Sequence, residues 1–347
     1  MAWAQIHQAG AELGLTAEMP VQTEAASIAT STSQAYTGLR SFLVSASTAK
    51  GASGWTFTSA PQISMHCYLR HGGMGSGAGG AQIFSWISAG TTNNSVRYNR
   101  AANVLEIYVN NAQVASIDPI TAGFSTLDTW RSCGVIVKAD ATTGWVSFYL
   151  DGSKVLTATA INTGTGITSA FISGWTANLA FWNTPTFFDD IVLYSSAVGT
   201  EPDVAPVSKR FLYSVANAAG ASAAWSRSAG AVNYELVDEV PSDGDTTYVY
   251  AASAGLVDAY NTADITLPAG WSISAAIPVA IAKRTSTTET LRVGLTDGPN
   301  TSAGDAQTLT ADYTAVKQRY TTQPNTTAWN VTAFNAMQAR IESAGTY

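Results

Sequence analysis

Three histidines, two cysteines and 24 acidic residues are the chemically capable side chains in this 347-residue chain. His66, Cys67 and His71 cluster closely enough to suggest a metal. A structural zinc needs four ligands at set spacings, and no second pair accompanies them, so no metal ligand is assigned. Glu106 stands alone in a run of alternating apolar residues. Asp189 and Asp190 are adjacent, so on a strand they face opposite sides and cannot act as a pair. One is expected at a sheet edge or turn and the other partly exposed. Glycoside hydrolysis requires two carboxylates flanking one bond, and that pair is missing. A Ser-His-Asp triad cannot be chosen from a serine-rich chain by composition, because geometry defines it. The catalytic, metal and cofactor expectations are therefore none, and the chain is not expected to be an enzyme. Asp118, Asp128 and Asp140 are weighed as calcium ligands, but turn-stabilising Asp is commoner, so calcium is left unassigned. Cys67 and Cys133 fall in strands and are expected as two buried thiols, with a disulfide as the alternative.

His71 to Gly80 contains Gly75-x-Gly77-x-x-Gly80, a match to the dinucleotide fingerprint. That motif works only where a helix follows and its N-terminus holds the pyrophosphate. Here Gln82–Ser88 reads as a strand, so a hairpin loop is expected. Sugar rings stack on exposed aromatics near a loop edge. Trp86, Tyr98, Tyr108, Trp175 and Trp182 are the candidate glycan contacts, against core packing as the plainer role.

The elements that must position these residues are strands. Val146, Phe148 and Leu150 alternate with Ser147 and Tyr149, the period of a half-buried strand. Asp151-Gly152 then supplies a tight hairpin turn. Val104–Ser116 repeats the pattern, Asn110-Asn111 falling on Asp151-Gly152, which predicts neighbouring ribbons in one antiparallel sheet. Further strands are expected at Ala11–Leu15, Ser27–Thr32, Leu39–Val44 and Ile63–Leu69. Beyond a Pro-rich linker, 199–208, they are expected at Phe211–Val215, Asn233–Val237, Thr246–Ala251, Ile273–Ile281, Leu291–Leu295, Thr314–Thr321 and Ala336–Ile341. No useful helical period appears. The fold class is all-β, two β-sandwich domains, residues 1–198 and 209–347.

Composition narrows the function. Charged residues are 12% and hydrophobic residues 46%, against disorder and for cored domains with a surface of small polar residues. A net charge of −7 without a basic cluster disfavours nucleic acid and anionic membrane as partners. No stretch approaches the ~18 apolar residues of a membrane span, and the N-terminus lacks a signal-peptide layout. Synthesis in a cytoplasm is expected.

Residues 129–194 carry a family likeness. Trp130, an apolar strand, Thr143-Gly144, Phe148-Tyr149-Leu150-Asp151-Gly152 and the closing Asp189-Asp190-Ile191-Val192-Leu193-Tyr194 resemble the concanavalin-A-like lectin/glucanase (laminin-G-like) jelly roll. The likeness covers roughly residues 1–198 and leaves out that family's Glu-x-Asp-x-x-Glu catalytic run. Tyr234–Tyr248 and Trp329–Ile341 resemble the C-terminal region of tailed-bacteriophage structural proteins. The resemblance implies a virion component, either a capsid decoration or head fibre or a tail-fibre-type protein. Other virion proteins, copies of itself and host glycans would be its partners. A free carbohydrate-binding module is the alternative, and a divergent glycoside hydrolase a further one.

Overall fold

A computed structural model describes residues 3–9, 19, 21–23, 28–36, 40–44, 52–71, 80–91, 94–99, 102, 104–118, 124, 128–173, 186–196, 212–240, 242–286 and 288–345. The chain divides into two compact units, Met1–Phe211 and Leu212–Tyr347. The expected linker 199–208, the strand at 11–15 and most of the glycine loop fall outside the described residues.

The N-terminal unit is a two-sheet jelly-roll sandwich. Its strands are β1 Trp3–Ala9, β2 Val21–Thr23, β3 Ile28–Ser31, β4 Ser41–Val44, β5 Ala52–Ala60, β6 Gln62–His71, β7 Gly80–Ser88, β8 Asn94–Asn99, β9 Val104–Val109, β10 Ala112–Ile117, β11 Arg131–Lys138, β12 Gly144–Leu150, β13 Ser153–Ile161, β14 Ile167–Ser173 and β15 Thr186–Ser196. One sheet runs β13-β12-β11-β6-β15-β4-β3, with β1 also on β15; the other runs β10-β9-β8-β7-β14-β5-β2. Period-two alternation sends one set of side chains from each sheet inward. Ile63, Met65, Cys67 and Leu69 of β6 meet Phe84 and Trp86 of β7 and Leu105, Ile107 and Val109 of β9 in one core. Cys67 and Cys133 sit directly opposite each other across β6 and β11 as free, fully buried thiols, and burial raises both well above the ordinary thiol range.

The two similar hairpins do not share a sheet. β9–β10 closes one edge of the seven-stranded sheet and β12–β13 the corresponding edge of the other, with β13 lying beside β10 and β9. Both turns have the expected geometry: Asn110 and Asn111 at φ 51° and 65°, Asp151 and Gly152 at φ 49° and 83°. Alternation and turn type fix a ribbon locally; they do not specify which layer it joins.

The Asp189-Asp190 pair also differs from expectation. The register of β15 on β6 shifts between Asp189 and Val192, and Asp190 takes φ 48°. This bulge buries both carboxylates completely. Asp189 accepts the Tyr36 amide at 2.8 Å and the Asp190 amide at 2.7 Å.

The C-terminal unit holds β16 Ala216–Ala223, β17 Ser226–Arg227, β18 Val249–Tyr250, β19 Val257–Thr262, β20 Val279–Ala282, β21 Glu289–Thr296, β22 Thr301–Ser302, β23 Gln307–Thr308, β24 Thr314–Lys317 and β25 Gln338–Gly345. A six-stranded sheet, β16-β19-β25-β21-β22 with β23 on β21, is joined by ribbons β17–β18 and β20–β24. Leu291 and Val293 of β21 pack against Val316 of β24 and Leu309, giving a two-layered all-β unit. Several expected strands are corrected. Residues 212–215 are irregular, and the strand begins at Ala216. Tyr234–Leu236 is a turn of 3-10 helix, because buried Asn233 bends the chain by donating backward to the Trp225 carbonyl and across to Asp258 of β19. Within Thr246–Ala251 only Val249–Tyr250 pairs, and within Ile273–Ile281 only Ala276 and the residues from Val279 onward do. Pro278 has no N–H for a ladder, and the strand starts just after it. A five-residue helix, α1 Val331–Asn335, is capped by the Asn330 side chain accepting from the Ala333 amide at 2.8 Å.

Candidate functional site

On the seven-stranded sheet, alternation turns Ser95, Arg97 and Asn99 of β8 and Glu106 and Tyr108 of β9 away from the core, while Val96, Leu105, Ile107 and Val109 enter it. Cross-strand register sets Arg97 between Gln82 and Glu106, and Ser95 opposite Tyr108. Arg97 Nε donates to Glu106 Oε1, and Asn99 Nδ2 approaches the same oxygen at 3.5 Å. The Arg97 guanidinium lies 3.7 Å from the centroid of the Tyr108 ring, a cation–π contact. Glu106 is fully buried and Arg97 nearly so, with Asn99 and Tyr108 half-buried at the rim. Arg97 Nη1, Glu106 Oε2 and Ser95 Oγ have no hydrogen-bond partner. Buried polar atoms left unmatched cost stability, so this face combines a ring, a fixed ion pair and spare hydrogen-bonding capacity. Among the described residues in the strands of this sheet, Glu106 is the only acid and Arg97 the only base.

The outward face of the other sheet carries a second polar row, Gln62, Ser64 and His66 of β6, all essentially inaccessible. His66 Nε2 is 2.8 Å from Ser132 Oγ. Burial pushes the imidazole down to about 4, so it is neutral at physiological pH. His66 Nδ1, Ser64 Oγ and both amide atoms of Gln62 lack partners. The serine–histidine contact resembles a nucleophile and base, but among the described residues no carboxylate holds Nδ1, and orientation by a third group is what makes such a pair work. Beside it, Tyr36 stacks on Tyr68 with centroids 3.7 Å apart, and Trp130 tilts against Tyr36 at 5.7 Å.

The five candidate aromatics separate. Trp86 is a core side chain. Tyr98 packs against the core near Phe124, with ring centroids 6.5 Å apart. Tyr108 stands on the outward face. Trp175 and Trp182 lie outside the described residues. Glu106, which looked solitary along the chain, is paired across the sheet by Arg97. The signal for that pair was opposite charge at outward positions of consecutive strands, Arg97 and Glu106, with Asn99 between them in the chain. Gln62, Ser64 and Ser132 were likewise missed, although Gln62 and Ser64 share the outward alternation of β6 with His66.

Among the described residues, no group of three His, Cys, Asp or Glu side chains could hold a metal. Asp140 accepts from the Thr142 and Thr143 amides at 2.8 and 2.7 Å, which holds its carboxyl well below the usual range; it caps a turn. Asp128 pairs with Arg70 at 3.3 Å. Asp118 is an exposed residue after β10.

No protein-family model matches the chain, and no curated protein matches it. Solved structures with a similar fold include domain 4 of an extracellular arabinanase from Geobacillus stearothermophilus, in complex with arabinotriose. It is 14% identical with a TM-score of 0.41, and the match covers 57% of this chain and 96% of that one. A galectin-like-fold protein of unknown function from Bacillus subtilis is 10% identical with a TM-score of 0.34, covering 56% and 98%. A cellulose-induced protein is 15% identical with a TM-score of 0.36, covering 52% and 88%.

Proposed function

We propose that this chain is a non-catalytic structural and binding protein, a component of a tailed-bacteriophage particle whose N-terminal sandwich contacts glycans. One observation carries the non-catalytic half. Among the described residues of the seven-stranded sheet, the single carboxylate, Glu106, is buried and tied to Arg97, with no second acid there to flank a glycosidic bond. The particle assignment is supported by the resemblance of residues 129–194, 234–248 and 329–341, and by a charge-poor surface suited to packed assemblies. Self-association fits the C-terminal unit, which leaves Leu212, Tyr248, Tyr250, Trp271 and Val279 exposed. The second reading, a free carbohydrate-binding module, is favoured by the Tyr108–Arg97–Asn99 face.

Mass spectrometry of purified particles from the producing cells tests the first reading, with many copies per particle expected. Recovery only from cytosol, as a monomer with sugar affinity, would transfer support to the second. A glycan array probed with the full chain, with and without calcium, tests the shared claim; silence across the array would remove glycan contact from both.

A further inference from the structure

The C-terminal unit contains a cavity of about 410 Å³ that no part of the foregoing reading uses. Its floor is β16 and β19, its walls Trp225, Tyr234 and Tyr260, and Ser226, Arg227 and Asn233 supply its polar lining. The space exists because the sequence puts alanines there. Ala219 and Ala223, both exposed residues of β16 four positions apart, line the opening, and the backbone of Ala259 in β19 lies beside them. Gly220 lets β16 lie close, since a Cβ there would meet the Ala259 carbonyl at 2.5 Å.

The walls are fixed by one buried carboxylate. Asp258 is fully buried and accepts from the Trp225 amide at 2.8 Å, from Asn233 Nδ2 at 2.5 Å and from the Tyr260 hydroxyl at 2.8 Å. The Trp225 indole N–H donates to the Leu256 carbonyl at 3.0 Å, which sets the ring plane. Asn233 Nδ2 also bonds the Trp225 carbonyl at 3.0 Å. Three lining residues are thus held in place before any ligand arrives, and such pre-organisation lowers the entropic cost of binding.

We propose that this cavity is a binding site for a neutral saccharide of one or two rings. Its volume lies within the roughly 300–1,000 Å³ of small-molecule sites, and it has their usual make-up, apolar walls with a few placed polar groups. Aromatic rings match the C–H faces of a sugar, and the exposed Ser226 and Arg227 side chains are placed to meet its hydroxyls. One cation in the lining and one carboxylate behind it leave no large net field, which selects a neutral ligand over an anionic one. This site is separate from the Tyr108 face and does not rest on it.

Calorimetry and saturation-transfer NMR on the full chain, with methyl hexosides, methyl N-acetylhexosaminides, their disaccharides and a glucuronide, test the assignment. One neutral glycoside or disaccharide is expected to bind saturably at one site. Ala219→Leu, which fills the cavity without removing a contact, abolishes that binding. Tyr234→Ala weakens it by roughly tenfold. Absence of saturable binding, wild-type affinity in both Ala219→Leu and Tyr234→Ala, or preference for the glucuronide would each overturn the proposal. Loss of binding in Tyr108→Ala alone would overturn it too, and would place the sugar on the N-terminal unit.

Discussion

Arg97 and Glu106 show how a buried charge commits a sheet face. Removing one partner leaves the other uncompensated in a low-dielectric setting, at a cost of about 3–5 kcal/mol. Arg97→Met is expected to lower stability by that amount in urea unfolding, and Arg97→Met with Glu106→Leu to recover most of it. His66 gives a pH signature of the same origin. Its folded pKa of about 4 lies below the unfolded 6.5, so the unfolded chain binds the extra proton. Stability from this group is complete above pH 6.5 and falls as pH drops toward 4, by about 3 kcal/mol in all. His66→Gln should flatten the pH dependence of the melting temperature across that window. The histidine was visible in the sequence; its partner Ser132 was not, because the contact joins residues on different strands. Asp189 and Asp190 were misjudged for a related reason. Strict alternation predicts opposite faces, and a bulge with Asp190 at positive φ suspended it.

Strands of the N-terminal unit were legible because inward and outward positions differ sharply in polarity. In β6, Ile63, Met65, Cys67 and Leu69 alternate with Ser64, His66 and Tyr68, and the strand formed over Gln62–His71. The C-terminal unit was harder to read. Asn233–Val237 and Ile273–Ile281 carry apolar residues, but Asn233 side-chain bonding and Pro278 decide their local paths. Two glycines separate the demands that elements make. Gly152 stands at φ 83° with open space around a Cβ, so Gly152→Ala is expected to cost about 1 kcal/mol of backbone strain alone. Gly54 of β5 sits opposite Phe171 of the neighbouring strand β14, and a Cβ there would meet the Ala170 carbonyl at 2.0 Å. Gly54→Ala should therefore cost more, about 3 kcal/mol, through forced separation of the two strands. Thermal melts of both variants check the order.

At the scale of the molecule, the two units are unequally cored. Among the described residues, the N-terminal cluster gathers 35 buried residues, whereas the C-terminal unit has two clusters of four. A unit with so little interior of its own gains stability by burying surface on something else. If copies of this chain supply that surface, the melting transition assigned to the C-terminal unit rises with protein concentration, while that of the N-terminal unit does not. Calorimetry over a hundredfold dilution reads the difference; two concentration-independent transitions would argue against self-association. Among the described residues, the seven-stranded sheet of the N-terminal unit pairs its lone acid with an arginine, and the His66–Ser132 contact has no orienting carboxylate. The direct measurement is release of reducing ends when the full chain is incubated with polysaccharides that it retains in a pull-down. The account predicts retention with no product above the buffer blank, and product formation that disappears in Glu106→Gln would contradict it.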